Sequence, residues 1–119
     1  MAVIIDWHEK TILKCSNSIL YGLYSSMLEI IDKEDLSFNE AITKLIDRLD
    51  VASDGIGFDL ANYIYTKEEL IAFTNLVRKG IDQRYKEIPG LPETTTERLE
   101  FFYKNLLEIQ KSFPKHNVD

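Results

Sequence analysis

The chain has 119 residues, 45% hydrophobic and 29% charged, with a formal net charge of −6 and a single cysteine. That describes one globular domain over residues 1–119, long enough to bury a core without metal or disulfide support. It excludes an internal disulfide, and an acidic chain is poorly matched to nucleic-acid phosphates, so no direct nucleic-acid binding is expected.

Four acceptor side chains stand three residues ahead of a glutamate: Asp6…Glu9, Ser37…Glu40, Thr66…Glu69 and Thr94…Glu97. Each pair has the form of a capping box, in which the first side chain accepts from an exposed helical N–H and the glutamate reaches back to the cap. An apolar pattern of helical period follows each of them. The first helix is expected over 7–31, with Ile12, Cys15, Ile19, Leu20, Leu23, Met27, Ile30 and Ile31 on one face. Gly22 inside it suggests a close helix contact. The second is expected over 38–49, with Phe38, Ala41, Ile42, Leu45, Ile46 and Leu49 inward. A short helix is expected within 58–65.

A long helix over 67–86 should bury Leu70, Phe73, Leu76, Val77, Ile81 and Tyr85, with Tyr65 packing on Leu70 across its cap. Pro89-Gly-Leu-Pro92 makes a stiff turn, since proline fixes φ and disfavours helix in the residue before it. The last helix is expected over 95–112, with Leu99, Phe102, Tyr103, Leu106, Leu107, Ile109 and Phe113 inward. The fold class expected is therefore all-α, a bundle of four long helices plus one short helix. No apolar run approaches the roughly 20 residues of a spanning helix, so no membrane association is expected. The start, MAVIID, lacks the basic region of a signal peptide. With its one cysteine the chain suits a reducing, cytoplasmic setting.

Between the second and third long helices lies Asp50-Val-Ala-Ser-Asp-Gly-Ile-Gly-Phe-Asp59. Read as a helix–loop–helix calcium loop starting at Asp50, it places Asp50, Asp54 and Gly55 correctly, but Ala52 and Ala61 occupy two ligand positions. Gly55 and Gly57 lack the third glycine, the lysine and the preceding strand of a phosphate loop. His8 and His116 stand apart, without ligands at metal spacing. Cys15 lies on an apolar face and reads as a small core residue rather than a nucleophile. No catalytic residue, metal or cofactor is expected.

The charge itself is unevenly placed. Residues 29–59 hold nine acids and three bases, while acids and bases cancel in the rest, so this segment holds the whole net charge of −6. Gathered like charges weaken a fold, whereas solubility would be served by spreading them. In the run Asp59-Leu60-Ala61-Asn62-Tyr63-Ile64-Tyr65, large amphipathic rings adjoin these carboxylates. Tyrosines are common interface anchors, and carboxylates steer a basic partner.

That run, after an acidic helix, resembles the immunity proteins of nuclease bacteriocins, whose short helix carries a motif close to Asp-Leu-x-x-Tyr-Tyr. Here Ile64 separates the tyrosines, no proline follows them, and a full helix is added near the end. More broadly, the chain is similar to the small, acidic, cytoplasmic bacterial immunity proteins of contact-dependent growth inhibition. The resemblance implies a basic protein toxin as partner, a nuclease domain whose phosphate-binding cleft the acidic face would meet. Phe58, Tyr63 and Tyr65 would be the anchors. Asp47, Asp50, Asp54 and Asp59, with Glu29 and Asp32, would supply the charge. Two other readings stay open: a non-catalytic regulatory adaptor using the same surface, and a structural homodimer that buries an apolar helix stripe.

Overall fold

Strand alternation, rather than helical period, governs residues 2–16. In the computed structural model, which describes residues 2–34, 40–52 and 57–113, β1 (Ala2–Trp7) and β2 (Lys10–Ser16) form an antiparallel hairpin. Val3, Ile5 and Trp7 are buried while Ile4 between them is exposed, the period of two that a half-buried strand imposes. This overturns the all-α expectation and the helix over 7–31. Asp6…Glu9 is no capping box: Asp6 lies in β1, where its carboxylate accepts from the Thr11 hydroxyl at 3.1 Å.

The turn joining the strands has only two residues, His8 and Glu9, at φ 47° and 69°. Two-residue hairpin turns favour positive φ at both positions because their twist then matches the strands, and Asn-Gly is the usual occupant. Ile5 pairs with Leu13 but Asp6 with Thr11, so Ile12 is an extra residue in β2. This bulge lets neighbouring Ile12 and Leu13 both turn inward, at 1% and 0% exposure.

The expected short helix is also corrected. β3 (Phe58–Asp59) pairs in parallel with β1, giving the sheet order β2-β1-β3, and one 3-10 turn (Leu60–Asn62) follows. Gly57 permits this approach, because a Cβ there would run into the Ile4 carbonyl oxygen.

Four long helices complete the fold: α1 (Asn17–Lys33), α2 (Glu40–Ala52), α3 (Lys67–Glu87) and α4 (Glu93–Ser112). α1 begins at Ser16, whose hydroxyl accepts from the Ile19 N–H at 3.4 Å. Thr66 and Glu69 form the full capping box of α3. α4 starts ahead of the expected Thr94…Glu97 box, at Pro92, with no side-chain cap; the fixed φ of proline already suits a helix entrance. The Ser37…Glu40 box lies outside the described residues.

Within the helices the expected stripes hold: Leu20, Leu23, Met27, Ile42, Leu45, Leu49, Leu70, Phe73, Val77, Ile81, Leu99 and Leu106 are buried. Leu107 instead stays 38% exposed, and Tyr65 is 71% exposed. Phe73 and Phe102 meet edge to face at 6.5 Å, joining α3 to α4. Trp7 and Phe113, with centroids 6.0 Å apart, join the hairpin to the end of α4. Gly22 and Gly80 let α1 and α3 come close: a Cβ at Gly22 would meet the Arg84 guanidinium, and one at Gly80 would meet Met27 and Leu23.

One polar network ties α3 to α4. The Arg78 guanidinium donates to both Glu100 oxygens at 2.9 and 3.0 Å and to Asp82 at 2.7 and 3.1 Å. It also lies 4.8 Å from the Tyr103 ring centroid. The Tyr85 hydroxyl donates to Glu100 at 2.6 Å.

Candidate protein-docking face

α2 presents its acids and its arginine to different neighbours. Asp47 and Asp50, three residues apart and so on one side of the helix, are exposed. Arg48 turns to the segment after the sheet, where its guanidinium lies 5.6 Å from the Tyr63 ring and donates to the Tyr63 hydroxyl at 3.4 Å. Phe58 packs edge-on against that ring at 5.7 Å.

Beside Asp47 and Asp50 stands α1. Its core side carries Leu20, Leu23, Met27 and Ile30, so the opposite side of the helix carries Tyr21, Ser25, Leu28 and Asp32 at spacings of four, three and four. Tyr21 is 57% exposed and Leu28 39%. Tyr24, half-buried at the border with α2, has its ring centroid 6.1 Å from that of Tyr21, the planes tilted by 47°. Partial burial raises the Tyr24 hydroxyl above its ordinary titration range, and the charges of Asp50 and Asp47 raise it further. The result is a strip of apolar and phenolic surface bordered by three carboxylates.

The residues expected to form the site therefore divide. Asp47, Asp50 and Asp32 lie on this face. Phe58 and Tyr63 are half-buried on the Arg48 side of α2, partly packed on the core. Tyr65 is exposed but is not joined to the acids, and its hydroxyl donates to the Asn62 carbonyl at 2.8 Å. Glu29 turns to α3, where Gln83 donates to it at 3.5 Å. Asp54 lies outside the described residues, as does most of the aspartate–glycine loop at 53–56.

Asp59 has an internal task. Its carboxylate accepts from the N–H groups of His8 at 3.0 Å, Glu9 at 2.9 Å and Ala61 at 2.9 Å. It thus clamps the hairpin turn and caps the 3-10 turn together. Partial burial opposes its charged form, but the Glu9, Ala61 and His8 N–H groups and the nearby His8 ring outweigh this and hold the carboxyl below its usual range. The aspartate of the Asp-Leu-x-x-Tyr motif is thus committed to the fold.

Tyr21, Tyr24 and Leu28 are the residues that sequence reasoning missed. Their signal was available: they recur at helical spacing on the side of α1 that the core stripe leaves open.

Elsewhere, Cys15 is buried, and desolvation pushes its thiol up to about 11, the Arg98 charge and a backbone hydrogen bond only partly offsetting it. A cleft of about 600 Å³ between the hairpin and α4 is lined by Trp7, His8, Ile12, Asn105 and Glu108, among others. Asn105 donates to the Phe101 carbonyl and Glu108 pairs with Lys111, so those polar groups already have internal partners. No group of three or more His, Cys, Asp or Glu among the described residues could hold a metal ion. No described helix is long and apolar enough to cross a membrane.

Comparisons with protein-family models, curated proteins and solved structures find no match. The functional reading rests on the chain's own residues.

Proposed function

We propose that this chain is a non-catalytic immunity protein of the bacterial cytoplasm, which binds a basic toxin domain, a nuclease, through the α1–α2 face and neutralises it. The observation that carries the reading is the union, on one face, of exposed Tyr21 and Leu28 with the carboxylates of Asp32, Asp47 and Asp50. All three acids belong to the segment that holds the chain's whole net charge. A nuclease cleft must be basic to hold phosphates, and concentrated opposite charge speeds capture by long-range attraction. Rings that lose water in the complex then supply much of the lasting affinity. The buried thiol is compatible with a reducing compartment.

The test is co-expression with the toxin domain encoded by the neighbouring gene, beside binding kinetics at two salt concentrations. Changing Asp47→Lys and Asp50→Lys together should lower the on-rate by about ten-fold or more at low salt, and less at high salt, as expected for steering charges. Tyr21→Ala should act on the off-rate, by about 2 kcal/mol if the ring is a central anchor. If the double lysine variant protects cells and binds as wild type does, the face is only solvated surface and the reading fails.

A further inference from the structure

We infer that the outer edge of β2 and the neighbouring side of α4 form a docking groove for an extended, acidic segment of a partner protein, which pairs with β2 as an added strand. This groove shares no residue with the α1–α2 face. The sheet order β2-β1-β3 leaves β2 at an edge. The Ile4 carbonyl points towards Gly57, on the β3 side of β1. Opposite residues of an antiparallel ladder alternate between bonded and unbonded pairs. Lys14, which stands opposite Ile4, therefore turns its N–H and C=O away from β1. Arg98 agrees with this direction, since it reaches from α4 to donate to the Lys14 carbonyl. The Lys14 N–H has no hydrogen bond among the described residues. An edge strand with such a free donor is a template for another strand.

The walls of the groove indicate what lies along this edge. Two clefts, of about 600 and 470 Å³, run between the same two elements: one is lined by Ile12 and Ile109, the other by Leu13, Arg98 and Phe101. Phe101 is 52% exposed, and so offers apolar surface to the alternate side chains of an extended chain. Lys10, Lys14 and Arg98 are exposed as well. Of the acids lining the clefts, Glu108 is paired with Lys111, which leaves Glu97 against these three cations. In a chain of net charge −6, the groove is a basic exception, complementary to an acidic segment. A second copy of this chain fits poorly. Pairing β2 with β2 would bring Lys10, Lys14 and Arg98 of both copies together, and like charges across a strand pair destabilise it.

The experiment is an NMR titration of the isotope-labelled protein with short blocked peptides at equal ionic strength. One peptide alternates valine with glutamate, a second alternates valine with lysine, and a third is the first with its backbone nitrogens methylated. The glutamate peptide should bind about ten-fold tighter than the lysine peptide or better, in the direction that charge complementarity sets. Its shifts should centre on Lys10, Lys14, Arg98 and Phe101. Once bound, it should slow exchange of the Lys14 N–H by about ten-fold or more, because that group gains an acceptor. Methylation removes the pairing donors without changing the charge, and should weaken binding by about ten-fold or more. Lys14→Glu, at an exposed position, should weaken the glutamate peptide too. Equal binding of the glutamate and lysine peptides, undiminished binding of the methylated one, or undiminished binding to the Lys14→Glu variant overturns the inference. So does binding of none of them, an unchanged Lys14 N–H, or shifts that map elsewhere. In each of those cases Lys14 and Arg98 only guard the edge against pairing.

Discussion

At the α3–α4 junction a tyrosine, two carboxylates and an arginine close on one another, whereas on the α1–α2 face Tyr21 and Asp47 are exposed. Arg78 is 26% exposed at the junction, and its Glu100 partner 43%. Hydrogen bonds from Arg78 hold the Glu100 carboxyl below its usual range, with a further contribution from Tyr85. Desolvation and the bond to Glu100 push the Tyr85 hydroxyl up to about 12. Tyr21, by contrast, is 57% exposed. The same residue types tie two helices together in one place and lie at the surface in the other. Enclosure decides which, since a charge enclosed with its partner contributes to folding and a solvated one contributes little. Asp59 is a third case: a carboxylate satisfied by backbone N–H groups rather than by a cation.

The strongest way to break this contrast is Arg78→Ala. It strips Glu100 and Asp82 of their shared donor and uncovers the Tyr103 ring, so stability should fall by about 2–3 kcal/mol, discounted from a buried pair because the site is partly solvated. Urea unfolding followed by circular dichroism measures this. A loss under about 0.5 kcal/mol, the size of an ordinary surface change, would place the junction with the solvated face.

Asp59→Ala should follow at about 2 kcal/mol, because three N–H groups lose a charged acceptor and the positive-φ turn loses its clamp. The pH dependence has a fixed sign. The folded carboxyl titrates below its ordinary 3.8, so its contribution is fully present above that value. It is lost as pH falls through the lower folded value. The gap in stability between wild type and variant should therefore be constant from neutral pH down to about 5 and close below 3.8. A gap that persists undiminished at pH 2 would show that the charge of Asp59 is not what holds the turn.

The smallest expected effect sharpens the contrast. Asp47→Asn should change stability by no more than about 0.5 kcal/mol, the size of an ordinary surface change. Thermal melting at low and moderate salt checks it. A substantial loss would mean that Asp47 serves the fold as Asp59 does.

The sequence by itself was enough for α2, α3 and α4, whose signals are local. Helical period sorts Leu70, Phe73, Val77 and Ile81 from their neighbours, and Thr66 with Glu69 marks the start of α3 within four residues. The hairpin was hidden because Ile12 and Cys15, three residues apart, fit a helical stripe, and on a strand only the bulge at Ile12 turns both inward. Asp6…Glu9 also imitates a cap, and His8-Glu9 lacks the Asn-Gly that would announce the turn. What holds that turn is Asp59, 51 and 50 residues away from His8 and Glu9, and no local pattern records a partner so distant. The charge count likewise located the acidic segment correctly without showing that Glu29 faces α3, that Asp59 is tied to the hairpin, or that Asp47 and Asp50 stand beside Tyr24. Composition and period are properties of neighbouring residues and survive in the unfolded chain. Which carboxylates are tied to other parts of the chain depends on contacts between distant segments, and those exist only once the chain has folded.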